Sequence, residues 1–209
     1  LTIGTGAKLT KVDANLVAVV DNPIVNNGTI QVDSGVFGLH FRVPMTGSGN
    51  INIKPGAEFQ VGSYGAVCTV SNPIFVEGGT IAGIEGNTLP SSYESPITTA
   101  GNVTLRADAN FIINGAISGT GSLNKTGGAP LIVNGATSHT GNTTVTAGTL
   151  TLTQASTLDD ASSVSISATG TLNLVASGDD EVASLTIAGT QVYGIWGAVG
   201  SGAPNESER

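Results

Sequence analysis

The residues of this chain that could do chemistry are few and far apart. Arg106-Ala-Asp108 sets one cation and one acid two residues apart, on one face if the run is a strand. An enzyme that cleaves polysaccharide on a β-helix needs several carboxylates clustered with Arg or Lys, and a single acid is not a cluster. The two histidines, His40 and His139, lie far apart, the first in a bulky strand-like run and the second in a turn. They make a poor metal pair, and His139 reads as a structural filler of an aromatic-sized slot. No Gly-x-Ser-x-Gly elbow occurs. Asp159-Asp160 and Asp179-Asp180-Glu181 carry the charge a calcium ion needs, but neither has the ligand spacing of an EF-hand or of the glycine-aspartate nonapeptide. Both read as acidic turns. The single cysteine, Cys68, sits in Val67-Cys-Thr-Val70 with no charged neighbour, which suits a small buried hydrophobe. Five Asn-x-Ser/Thr triplets begin at Asn27, Asn102, Asn124, Asn142 and Asn205, a number expected in a chain so rich in Asn and Thr. No residue set is nominated as catalytic, cofactor-binding or metal-binding, and the chain is expected not to be an enzyme.

Composition narrows the partners. The formal charge of -8 and only seven Lys and Arg residues exclude a basic patch, and with it nucleic acid and anionic membrane surfaces. No long apolar run is present, so membrane insertion by this chain is not expected. Thirty glycines, scarce aromatics and abundant Thr, Ser, Asn and Val suit a β-solenoid better than a disordered chain. The 209 residues suffice for one domain spanning 1–209, and the start at Leu1 reads as a piece of a longer secreted chain.

The elements that would position these residues are strands. A pentapeptide of the form Gly-polar-apolar-x-apolar recurs at Gly28–Val32, Gly49–Ile53, Gly101–Leu105, Gly148–Leu152 and Gly170–Leu174, with shorter copies at Gly79–Ile81 and Gly121–Leu123. Asn22-Pro-Ile-Val-Asn-Asn-Gly-Thr-Ile30 returns, one residue longer, as Asn72-Pro-Ile-Phe-Val-Glu-Gly-Gly-Thr-Ile81. Repeats at this spacing signal a solenoid whose coils stack to bury a shared core. The expected ladders comprise Ile30, Ile51, Ile53, Ile81, Val103 and Leu105, then Leu123, Leu150, Leu152, Leu172 and Leu174. Three stretches break the rhythm: the bulky Leu39–Met45, the two-proline Asn87–Pro96, expected to be an excursion loop, and 154–163, with room for one helical turn. Trp196 is expected to cover the end of the apolar column.

The most regular stretch, Gly115 to Leu152, carries a resemblance. Ser118-Gly-Thr-Gly-Ser-Leu-Asn-Lys125, Thr126-Gly-Gly128, Pro130-Leu-Ile-Val133, Thr140-Gly-Asn-Thr-Thr-Val145 and Gly148-Thr-Leu-Thr-Leu152 succeed one another in order. Together they resemble the passenger-associated β-strand repeat of bacterial autotransporters, with His139 where the family commonly has an aromatic and Asn142 in place of a Gly. Val182–Gly189 and Gly194–Ala203 are similar to the closing segment of secreted proteins with this repeat. The resemblance implies a right-handed parallel β-helix on the outside of a bacterial cell, and no particular chemistry. It makes a structural stalk, adhesin or matrix segment the expected function. A fibre subunit stacking end to end on itself and a polysaccharide-cleaving enzyme are the alternatives. The expected partners are a second copy of the chain or a surface or matrix polysaccharide.

Overall fold

In the computed structural model, which describes residues 1–20, 22–40, 44–63, 67–86, 90–155, 157–175, 180–199 and 202–207, the chain winds into a parallel β-solenoid of about eight turns. No helix occurs among the described residues, so no helix is long and apolar enough to cross a membrane. The first turn shows the plan: Thr2–Ile3, Lys8–Lys11 and Leu16–Val20 each start a different sheet. The first sheet stacks nine strands up to Gly170–Leu174, and the second stacks seven, ending at Thr137–His139. The third stacks nine parallel strands up to Ser184–Ile187 and closes with the antiparallel strand Thr190–Val192. Within the three sheets every parallel pairing joins residues 19 to 25 apart, as in Leu131 with Leu150 and Met45 with Val70.

Alternation makes the strands and the ladders. In the second sheet Ile30, Ile51, Ile74, Ile97 and Ile117 face one another on successive coils, all buried. Each such side chain contributes roughly 1.5–3 kcal/mol by leaving water. The next member is Thr137, whose hydroxyl turns to the Thr157 carbonyl where this sheet stops. Ile30, Ile51, Ile53, Ile81, Val103, Leu105, Leu123, Leu150 and Leu152 are buried as expected. Leu172 is only partly buried and Leu174 is 44 % exposed, because among the described residues the first sheet ends with their strand.

The recurrent pentapeptide does not mark one face. Its copies at Gly28 and Gly49 lead into the second sheet, those at Gly79, Gly101 and Gly121 into the third, and those at Gly148 and Gly170 into the first. A glycine corner followed by an alternating strand is what every corner requires, so the motif drifts around the prism. Gly127 shows the requirement: its φ is +77°, and a Cβ there would lie 2.2 Å from the Ala107 carbonyl oxygen of the preceding coil.

Two interruptions resolve differently from expectation. Ser91–Tyr93, inside the expected excursion loop, is a buried strand of the first sheet paired on both sides; residues 87–89 lie outside the described residues. Proline at 90 and 96 brackets the strand rather than breaking it, leaving each ladder N–H in place. The stretch 154–163 holds turns and no helical turn among its described residues. Its backbone is tied by the Asp180 carboxylate, which accepts from Thr157 N at 2.9 Å, Thr157 Oγ1 at 3.1 Å and Leu158 N at 3.2 Å. Trp196 sits in a separate two-stranded sheet, Trp196–Ala198 with Asn205–Ser207, and its indole donates to Tyr193 O at 3.1 Å. The core at that end is covered instead by Leu172, Val182 and Leu185.

The dispersed aromatics converge inside. Phe37 stacks on Phe59 at 6.0 Å between centroids, and Tyr93 meets Phe59 and Phe111 edge-on at 6.0 and 5.1 Å. Room for this column comes from Gly83, whose missing Cβ would be 2.7 Å from Phe111 Cβ. Cys68 is buried in the same core.

Candidate functional site on the outer face of the third sheet

Lysine is the least expected residue in these ladders. Leu105, Lys125 and Val145 are opposite one another on three coils, so Lys125 occupies an inward position. It is 1 % exposed. Its aliphatic stem packs as a hydrophobe would, and the ammonium emerges at the corner. There Nζ donates to Thr126 O and Gly127 O at 2.8 Å and to Ala147 O at 3.0 Å. Burial pushes its pKa down to about 8, with Asp108 pulling the other way. Lys11 repeats the arrangement opposite Val32, its ammonium held by the Asp13 carboxylate at 2.7 Å, the Asp13 carbonyl and Ser34 O at 3.3 Å. The hydrogen bonds from Lys11 and from the Asn15 N–H hold the Asp13 carboxyl below its ordinary range. Two of the scarce cations thus fasten corners and are withdrawn from any surface chemistry.

Among the described residues, a group of charged side chains linked by ion pairs lies on the outer face of the third sheet. Glu58, Thr80 and Thr104 share one rank, and Gln60, Ala82 and Arg106 share the next. This register brings Glu58 to Arg106 across two coils, 48 residues away in sequence. The Arg106 guanidinium bonds to Glu58 Oε1 through Nη2 and to Asp108 Oδ2 through Nη1 at 3.2 Å. Burial raises the Glu58 carboxyl above its ordinary range, and the Arg106 charge opposes this. His40 joins the same face through Gln60 at 2.9 Å. The expected Arg106–Asp108 pair is therefore real, and Glu58 is the partner that sequence reasoning missed. Only the coil length, unknown without the register, points to it. Chemically the group is two carboxylates neutralised in part by one guanidinium, an arrangement that orients side chains and can receive a polar ligand.

The remaining expected residues are spread over the molecule. His139 is 3 % exposed, with Nε2 3.0 Å from Thr143 Oγ1 and its pKa lowered by burial. It borders an open depression with Asp159 and Asp160, at the place where the second sheet stops. No three His, Cys, Asp or Glu side chains there or elsewhere among the described residues are grouped to hold a metal ion. Asp180 is engaged by the 157–158 backbone, Glu181 is exposed, and Asp179 lies outside the described residues. Of the triplet asparagines, Asn27, Asn124 and Asn142 accept hydrogen bonds from the following coil, and Asn205 donates to Ile195 O at 3.0 Å. Asn102 is exposed.

No family model matches this chain, and no curated protein or solved structure matches it either.

Proposed function

We propose that this chain is a structural β-helix segment on the outside of a bacterial cell, serving as a stalk, adhesin or matrix element. The observation that carries this reading is where the residues of the Gly115–Leu152 motif go. Leu123, Leu131, Val133, Val145, Leu150 and Leu152 are in the core ladders, Lys125 fastens a corner, and Gly127 makes the turn. The motif is consumed by the architecture, which is what a repeat selected for stacking requires. The passenger-type repeat it resembles supports the extracellular placement.

Electron microscopy of the purified chain over a concentration series tests the reading. Dispersed rods of about 40 Å, set by eight coils at a rise near 4.8 Å, are the expected result. Long uniform fibres would favour the self-assembling alternative. Release of reducing ends from soluble polysaccharides, lost in Glu58→Gln, would favour an enzyme built on the Glu58–Arg106–Asp108 group.

A further inference from the structure

Beyond the charged group, the third sheet presents a different surface. Thr104, Asn124, Thr144, Ser165 and Thr186 stand opposite one another on five successive coils with no shift of register. A second rank, two residues earlier on each coil, runs through Asn102, Ser122, Asn142, Ser163 and Ser184. Neighbours within a rank are about 4.8 Å apart and the ranks about 6.6 Å apart, the dimensions of a parallel sheet. Every position of both ranks is a hydroxyl or an amide. Lys125, the one charged residue in these strands from Ser122 to Ile187, points inward. In a molecule of net charge -8 this is an uncharged strip.

We propose that this strip is a docking surface for an extended, uncharged β-1,4-linked glycan lying along the solenoid axis. Three observations carry the assignment. First, a shallow groove runs over three of its five coils, lined by Asn102, Thr104, Ser122, Asn124 and Thr144. Second, one rank keeps free hydroxyls, although Asn124 Oδ1 accepts from Thr146 Oγ1, Asn142 Oδ1 accepts from Ser163 N, and Ser184 Oγ donates to Ser163 Oγ. The hydroxyls of Thr104, Thr144, Ser165 and Thr186 are half-buried, and no bond from them within the described residues is present, while Ser122 Oγ only accepts, from Asn142 N at 3.2 Å. Third, the chemistry is mixed. Hydroxyls and amides both donate and accept, as sugar hydroxyls do, whereas a phosphate-bearing partner would need free cations, and Arg106 beside Thr104 is already paired with Glu58 and Asp108. An extended β-1,4-linked chain advances by nearly the rise of one coil per sugar, so successive sugars, alternately turned over, meet successive coils. Thr methyl groups between the hydroxyls supply apolar contact to the sugar faces, without the aromatic platform that shorter glycan sites use.

The test is affinity electrophoresis of the full chain in native gels cast with increasing hydroxyethylcellulose. The wild type is expected to be retarded in proportion to polymer concentration. Thr104→Glu/Thr144→Glu should migrate as in an empty gel, while Thr151→Glu, on the outer face of the first sheet, should be retarded like the wild type. Thr144→Val keeps the shape and the β-branch and should weaken binding about three- to tenfold, the worth of one hydrogen bond. It decides the matter if circular dichroism shows the double variant unfolded. An unretarded wild type overturns the proposal, and so does retardation that both Thr144 variants leave unchanged. Faceted ice growth without glycan retardation would assign the strip to ice instead. Any of these failures would leave the structural reading of the chain standing.

Discussion

Lys125→Met should flatten a pH dependence that the wild type possesses. The buried ammonium has a pKa of about 8 in the folded chain against 10.5 as the ordinary value. Between those values the unfolded chain holds more protons than the folded one, so stability rises with pH across the window. Integrating the two titrations gives a gain of about 2 kcal/mol from pH 8 to pH 10. For a chain of this length that is roughly 4–8 °C in melting temperature. Tyr93 sets the upper limit: burial pushes its phenol well above 10.0, so above that pH the unfolded chain loses a proton that the folded one keeps, and stability falls. The assay is thermal or urea unfolding monitored by circular dichroism at half-unit steps from pH 7 to pH 10. The wild type should climb, and Lys125→Met should be flat up to the Tyr93 limit. At pH 7 the substitution removes a costly buried charge but strands three carbonyls, so the slope is diagnostic and the absolute value is not. A wild type with no climb would refute the reasoning, because the carbonyl cage would then offset the burial fully. Parallel slopes in the two proteins would place the titrating group elsewhere.

Other perturbations act on the same packing. Leu150→Asp buries an unpaired charge in the column and should prevent folding, whereas Leu174→Ala, at a half-open position, should cost under about 0.5 kcal/mol; unchanged melting of the first would sink the ladder assignment. Gly83→Val drives a side chain into the Phe111 ring and should cost roughly 1–3 kcal/mol in urea unfolding, an effect that Phe111→Leu should partly relieve. Asp180→Ala frees Thr157 and Leu158 and should cost about 1.5–3 kcal/mol, seen as faster amide exchange confined to the 157–162 turn.

The solenoid is legible because its signals are local. Glycine corners and two-residue alternation appear in every coil, and they identify most ladder members from Ile30 to Leu152. What they cannot supply is phase. The pentapeptides at Gly79 and Gly101 look aligned, yet Ile81 faces Leu105 and not Val103, since one coil is longer than the spacing of the motif. The same blindness hides Glu58 from Arg106 and the aromatic column from its four dispersed members. Lys125 belongs to the repeat motif, but nothing in a charged residue announces that it points inward. Ser91–Tyr93 escapes sequence reasoning because proline is a loop signal, although at the start of a strand it removes no ladder bond. Size alone makes Trp196 a candidate cap, and its own chain neighbours claim it first.

The separation of 19 to 25 residues between paired strands also dictates how the chain can assemble in time. It is only about a tenth of the chain, a low contact order for an all-β protein. Each coil closes a loop of similar length onto the one before, so the entropic cost of closure recurs in equal small steps rather than as one large barrier. Growth can therefore proceed as a zipper, one coil at a time, without waiting for distant sequence. Unzipping should begin after His139, where the stack narrows from three sheets to two, and stall at the aromatic column of Phe37, Phe59, Tyr93 and Phe111.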